Sequence, residues 1–528
     1  MKKFIAAGLL LAISTSALAV VDLRNGNYSE HFTDINRIGS GFDLRIKRTY
    51  NSRTNFNGLF GHGWCSEAET RVELMPDNTI KLTECGAGET LIYNPIEPID
   101  SADKVEARRY VAQNQAYNSI VFADGQFVRN IHGTGREVFD SSGHLIRLED
   151  SNGNFIQYDY EAGRLSKMSR NDRTSFVFQY GDNGKVSSIL ASHKKSTRYR
   201  YDGDELIEAT NAASEVTTYH YDDKHRMDRV TWPDQRFVSL TYHASHDWVT
   251  GFTDRDGCVE NYEYSSDPAN PQHHIWGTVR KVCQDAETAV GKAEYWYSPK
   301  SDGNKELTRI RSEWNGMDRD VQYDERFHLP KMIQNNGNKM HFNYYPNGLV
   351  KIRKSGQGTM SYVYAGDKLQ RVEMVVKDNH GKVLLHNWSK FGYDAQGNMT
   401  LATNSEGGKV KLRYNSAGQI SVLRDDRIHE VSVRYDRHCG KPGIITLKGI
   451  GAIQVIYKND CEIKKVDSKH TPAVAMQVSS MFNNLLEVSA PANQDVYEAA
   501  DSVFSATEGR AVECQNCQIS HVSPVGRD

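Results

Sequence analysis

A tyrosine returns along this chain at a nearly fixed interval, and that periodicity restricts the fold more than any other feature. It stands at Tyr160, Tyr180, Tyr201, Tyr221, Tyr242, Tyr264, Tyr297, Tyr323, Tyr344, Tyr364, Tyr393, Tyr414, Tyr435 and Tyr457, with most steps between 20 and 26 residues. Two residues before each lies an apolar or aromatic side chain, from Tyr158 and Phe178 through Leu240 to Val433 and Val455. Side chains at i and i+2 on a strand share a face, so each unit ends a strand with two large residues pointing the same way. A turn follows, as in Tyr393-Asp394-Ala395-Gln396-Gly397 and Tyr414-Asn415-Ser416-Ala417-Gly418. Asp or Asn opens a type I turn, and the Gly takes the left-handed conformation that closes it with a bulge. The unit is therefore a β-hairpin whose strands of about seven residues span about 23 Å. One such hairpin cannot bury its aromatic face, whereas stacked neighbours can. The count of 27 Tyr and 41 Gly against 13 Pro agrees with many strands and tight turns. The expected fold class is all-β.

One copy, Tyr160-Glu161-Ala162-Gly163-Arg164-Leu165, resembles the Tyr-Asp-x-x-Gly-Arg-Leu consensus of the YD-repeat, or Rhs, family. Upstream, Asp22-Leu23-Arg24-Asn25-Gly26-Asn27-Tyr28, the stretch Asp43 to Ser52 and Phe60-Gly61-His62-Gly63-Trp64 resemble the β-rich domain that precedes Rhs repeats. Together the two regions cover about residues 21 to 460. The resemblance implies a long spiralling antiparallel sheet of YD-repeat hairpins, open or closed into a shell, around a C-terminal toxin or beside an adhesive surface. Toxin-bearing members end the shell with a Pro-rich core containing Asp-Pro-x-Gly, where self-cleavage frees the cargo. Here Asp267-Pro268 is followed by Ala269-Asn270 in the middle of the repeats, so a self-cleaving carrier is not expected.

Lys2 and Lys3, the apolar run from Phe4 to Ile13 and Ala17-Leu18-Ala19 read as a secretory signal peptide cut after Ala19. The run is too short to span a bilayer, and no later segment is apolar enough, so the mature chain is expected to have no transmembrane segment. Its location would be secreted or periplasmic, with cell-surface association open. Without the leader, 62 basic residues stand against 67 acidic ones, a balance that gives no electrostatic case for nucleic acid. The expected organisation is a leader at 1–19, an N-terminal β-rich Rhs-associated domain at 20–119, a hairpin array at 120–470, and a short C-terminal helical segment with a polar tail at 471–528. In that last part Val474, Val478, Met481, Phe482, Leu485 and Val488 fall at helical spacing after Pro472. A shorter stretch, Val496 to Phe504, stops before Gly509. Two amphipathic helices packed on the open end of the sheet account for this pattern, with a partner-binding or cargo element as the alternative.

All eight cysteines follow the leader, and an even count in an oxidising compartment points to disulfides. They fall into neighbouring pairs, Cys65 and Cys85, Cys258 and Cys283, Cys439 and Cys461, Cys514 and Cys517. Three of the separations are close to one hairpin unit, although sequence alone leaves the connectivity open. Cys514-x-x-Cys517 suits a local disulfide better than a redox or zinc motif, since no βαβ pattern or second close pair accompanies it.

No nucleophile elbow, His-Glu-x-x-His pair or phosphate-binding Gly-rich loop occurs. His273-His274 falls in an insertion between two units. Asp254-Arg255-Asp256-Gly257 begins like a calcium loop but reaches Ser265 where a bidentate Glu belongs. The Tyr series is too regular for a binding site and suits inward packing. No catalytic, cofactor-binding or metal residue is assigned, and no cofactor is expected. The expected function is a non-enzymatic exported shell or interaction protein, with a protein or carbohydrate partner at the cell surface. A carbohydrate-binding or adhesive module using the insertion around His273 and Trp276 is the alternative, and a toxin-carrier relative without the self-cleaving core a third.

Overall fold

The computed structural model describes residues 21–84, 89–96, 108–112, 115–131, 135–192, 194–284, 286–300, 305–425, 430–458, 461–467 and 485. From Arg71–Leu74 to Ile463–Asp467 they form one antiparallel sheet of 36 strands, each paired with its neighbours in sequence. The sheet does not close. Its first strand pairs with Ile80–Glu84 and its last with Gly451–Tyr457, and among the described residues no ladder joins the two ends. The strand Gln115–Ala123 pairs with Arg108–Ala112 on one side, with a register shift between Gln115 and Ser119, and with Gln126–Ile131 on the other.

The local chemistry of each unit explains the period. In the turn after Tyr393, the Asp394 carboxylate accepts from the backbone N–H groups of Gln396 and Asn398, at 3.0 and 2.8 Å. Gly397 sits at φ +86° and donates back to the Asp394 carbonyl. Asn415 and Gly418 repeat the arrangement one unit later. In thirteen of the fourteen units the ladder shifts register at the Tyr itself, as between Arg200 and Tyr201 or Arg413 and Tyr414. The bulge aims the phenol at the preceding unit. Tyr180, Tyr201, Tyr221, Tyr264, Tyr414 and Tyr457 each donate to the carbonyl fifteen residues back, namely of Leu165, Val186, Leu206, Val249, Met399 and Pro442. Those acceptors are the apolar residues just past the previous turn. The side chains two before the Tyr are the more deeply enclosed, with Tyr158, Tyr199, Tyr219, Tyr262 and Tyr295 all buried.

A separate three-stranded sheet, Ser29–Arg37, Leu44–Asn51 and Trp64–Ser66, docks against the early units. The sheet and its adjoining loops meet the backbone that the bulges leave open. Val186 N–H donates to the Leu59 carbonyl, Val249 N–H to the Gly26 carbonyl, and Met227 N–H to the Tyr50 hydroxyl, at 2.9 to 3.0 Å. At the same place in two later units stand Pro330 and Pro442, which have no N–H to satisfy. At the centre of the contact is a buried ion pair. Arg48 forks onto both carboxylate oxygens of Asp34, at 2.6 and 2.8 Å. From the array, the Tyr199 hydroxyl donates to Asp34 and the Tyr219 hydroxyl accepts from Arg48. The guanidinium lies 4.6 Å from the centre of the Trp64 ring.

The sheet also meets itself. Asn152 and Asn398 exchange two side-chain hydrogen bonds, and Asn154 donates to the Ala417 carbonyl, so turns some 250 residues apart touch. Twenty-two strand spacings separate Leu145–Glu149 from Met399–Asn404. At about 4.8 Å per strand, one winding is about 105 Å around. The helical segment expected over 471–528 lies outside the described residues except for Leu485, which is helical, and no other described residue is α-helical. Leu485 is buried in a cluster with Ala402, Val410, Leu412, Leu423 and Leu447. No helix among the described residues is long and apolar enough to cross a membrane. The leader at 1–19 lies outside the described residues.

Candidate interaction surface and cysteine pairs

The insertion around His273 and Trp276 lengthens the sheet locally. His274–Cys283, Ala286–Pro299 and Lys305–Trp314 run to 10, 14 and 10 residues. On the middle strand Ala293 and Tyr295 are buried on the inner face, which places Glu294 and Trp296 outside. Register sets His274, Trp296 and Arg309 in one row across the three strands, and Trp276 beside Glu294. The His274 ring stacks on Trp296 at 4.6 Å and 15°, and the Arg309 guanidinium lies 4.8 Å from the same ring. Because these neighbours come from the strands on either side, both faces of Trp296 are occupied. Trp276 has Lys292 at 5.3 Å over its ring.

The charges in this patch satisfy one another. His274 reaches Glu294 at 3.1 Å and Asp267 at 3.5 Å, Lys292 reaches Glu294 at 2.7 Å, and Arg309 forks onto Asp320. Partial burial raises the Glu294 pKa, but Lys292 and His274 outweigh it and hold the carboxyl below the usual carboxylate range. His273 instead turns to Asn270 at 3.0 Å. Periodicity could have flagged Trp296, since Glu294-Tyr295-Trp296-Tyr297 places aromatics on both faces of one strand. Nothing local announces the Arg48 and Asp34 pair, whose partners in the array lie some 170 residues away.

Cys258 and Cys283 are joined across the ends of two paired strands, with Cα atoms 4.4 Å apart. Cys439 and Cys461 are joined between the turns of consecutive units, with Cα atoms 5.4 Å apart. Cys65 is buried and disulfide-bonded, whereas Cys85, Cys514 and Cys517 lie outside the described residues. His438 stands with Cys439 and Cys461 so that their donor atoms fall within 4.8 Å of one another. The two sulfurs are bonded to each other, and the His438 imidazole lies 3.4 Å from the Arg37 guanidinium. Asp254 is a turn residue: its carboxylate accepts from the N–H groups of Asp256 and Cys258 and pairs with Lys281 at 2.7 Å.

Residues 19–93 match a family described as a domain of unknown function, DUF6531. The tRNA3(Ser)-specific nuclease WapA of Bacillus spizizenii is 23% identical over 280 residues, 44% of this chain and 12% of that protein. The tRNA nuclease WapA of Bacillus subtilis is 22% identical over the same extent. This chain thus spans about an eighth of the curated relatives it matches. Among solved structures, TcdB2-TccC3-TEV superposes with a TM-score of 0.43 at 14% identity, over 82% of this chain and 27% of that one. TcdB2-TccC3 gives a TM-score of 0.38 at 11% identity, over 84% and 31%. The hairpin-by-hairpin register agrees with the YD-repeat organisation expected from the sequence.

Proposed function

We propose that this chain is an exported, non-enzymatic shell or interaction protein of the Rhs type, secreted or periplasmic, which acts by enclosing or contacting a partner. The observation that carries the reading is the fate of the repeated phenols. The group with the most potential for chemistry, present in unit after unit, is spent on a backbone carbonyl of its neighbour. The nuclease activity in the WapA name belongs to those proteins, most of whose length has no counterpart here. A low-resolution envelope together with mass spectrometry of the purified full chain tests the proposal. A hollow envelope, a co-purifying polypeptide and no tRNA cleavage are expected, and cleavage of tRNA that follows the protein through purification would overturn it.

The carbohydrate-binding alternative would use the outer patch at Trp276 and Trp296. The occupied faces of Trp296 argue against a stacked sugar, so a glycan array should show no binding that depends on Trp296. The pairing of the cysteines is a further part of the proposal: Cys65 with Cys85, Cys258 with Cys283, Cys439 with Cys461 and Cys514 with Cys517. Non-reducing peptide mapping should recover these four bridges, and a bridge such as Cys85 with Cys439 would refute the scheme.

A further inference from the structure

The six consecutive strands from Val383–Tyr393 to Pro442–Leu447 carry an unbalanced charge on one face. Phe391, Ala402, Val410, Leu412, Leu423 and Val433 lie in or against one apolar cluster on the inner side, so the residues alternating with them point outward. That outer set includes Lys390, Lys409, Lys411, Arg413, Arg424 and Arg434, all of them exposed. Glu430 is the one carboxylate among the outward residues of these strands, because Asp425 is buried opposite Val410 on the inner face. In the turns, Asp394 and Asp436 accept from backbone N–H groups, and Glu406 stands at the tip beyond Lys409. The whole chain has fewer basic than acidic residues, so this density of cations is local.

Register shows that these cations face one another. In earlier units an outward cation meets a carboxylate on the facing strand, as Arg200 meets Glu208 at 2.8 Å and Arg311 meets Asp318 at 3.2 Å. Here Lys411 stands directly opposite Arg424. Like charges opposed across a ladder are destabilising. Among the described residues, Lys409, Lys411, Arg413, Arg424 and Arg434 form no ion pair. Along Lys409–Tyr414 the cations are about 7 Å apart, and Lys411 and Arg424 are about 5 Å apart across the strands. A flat face with cations at such intervals attracts a linear polyanion, which meets several of them at once and releases their counterions. Proteins that hold single-stranded nucleic acid interleave open aromatic rings with the cations so that bases can stack. On these strands Trp388 is the one Phe, Tyr or Trp that points outward, and its ring lies under Lys390 at 4.8 Å and Arg371 at 5.7 Å. The chemistry of the face therefore favours a polymer recognised by charge alone.

We propose that this face binds a linear anionic polysaccharide, one bearing carboxylate or sulfate groups, with Lys411 and Arg424 at its centre. The face points away from the core, so the proposal stands whether or not the array encloses a partner. Binding of labelled heparin and of polygalacturonate to the full-length protein, with neutral dextran as the reference, tests it. Both anionic polymers should bind, dextran should not, and the affinity should fall steeply as salt rises. Lys411→Ser, Arg413→Ser and Arg424→Ser together remove three exposed contacts and should weaken binding about tenfold. Lys411→Arg combined with Arg424→Lys keeps the charges and should bind like the unaltered protein. Lys167→Ser, Lys195→Ser and Arg198→Ser together remove as many exposed cations from the early units and should change the affinity little. Equal affinity of the Lys411, Arg413 and Arg424 variant and the unaltered protein, equal losses in the two triple variants, or failure of both polymers to bind would overturn the assignment. Tighter binding of a single-stranded oligonucleotide or of phosphatidylserine vesicles than of either polysaccharide would overturn it as well.

Discussion

The phenol of each repeat serves two purposes that a single substitution can separate. Its ring covers the junction between units, and its hydroxyl takes up a carbonyl that the bulge leaves outside the ladder, as Tyr201 does for Val186 at 2.8 Å. Tyr201→Phe keeps the ring and removes the donor, which should cost about 1 kcal/mol. Tyr201→Ala loses ring and donor together; a buried aromatic truncated to Ala costs about 3 to 5 kcal/mol, and the half-buried Tyr201 belongs near the lower figure. Urea unfolding of the two variants reads the difference directly, and equal losses would mean that the hydroxyl contributes nothing. A second residue carries a pH signature. Burial pushes the Glu69 carboxyl up to about 7, against the opposing N–H groups of Leu59 and Ser66 and the Lys185 charge. An ordinary Glu titrates near 4.3 in the unfolded chain, so between that pH and about 7 the folded state holds a proton that the unfolded state has released. The contribution is complete below the unfolded value and is lost as pH rises through about 7. Thermal unfolding of the unaltered protein relative to Glu69→Gln should therefore fall from pH 5 to pH 8, and a constant difference would exclude Glu69 as its source.

At the scale of strands and hairpins, much of the array follows from spacing alone. A Tyr with an apolar residue two before it, and Asp or Asn with Gly after it, locates both strands and the turn. The fifteen residues from Leu165 to Tyr180 or from Leu206 to Tyr221 even mark donor and acceptor in advance. The strands from Arg71–Leu74 to Gln115–Ala123 carry no such unit, so periodicity is silent about their joining the same sheet. The docking of the N-terminal sheet is equally hidden, because its bonds run from Asp34 to Tyr199 and from Tyr50 to Met227 and depend on the curl of the whole array. That docking rests on a charge out of water. Asp34→Ala leaves Arg48 buried without its carboxylate and should cost about 3 to 5 kcal/mol, against much less for a surface carboxylate such as Asp77. Hydrogen exchange should show the loss first in the strands Ser29–Arg37 and Leu44–Asn51, while the units after Tyr393 keep their protection. Uniform loss across the array would mean that the two sheets unfold as one.

For the whole molecule, the open sheet must be kept from uncurling by contacts between windings, because each hairpin otherwise touches only its neighbours. The described contacts of this kind are few and polar. Asn152 and Asn398 hold one another through bonds of 3.2 and 2.8 Å and Asn154 reaches Ala417 at 3.0 Å, while Gly440 lies so close to Gly39 and Ser40, in a loop of the docked N-terminal sheet, that a Cβ would meet their backbone. Gly440 also stands at φ +62°, so the near approach and the left-handed turn both call for glycine. An array stabilised within its units and only lightly pinned between windings should respond in shape before it responds in secondary structure. Asn152→Ala and Asn398→Ala each break the same two bonds, so the double variant should lose little beyond either single one, with a coupling of about 1 to 2 kcal/mol. Far-ultraviolet circular dichroism should stay unchanged, while small-angle scattering should show a larger radius of gyration in each variant. Additive losses would mean that the two side chains act separately, and an unaltered radius would place the restraint on uncurling elsewhere, at Asn154 or at the turn that carries Gly440.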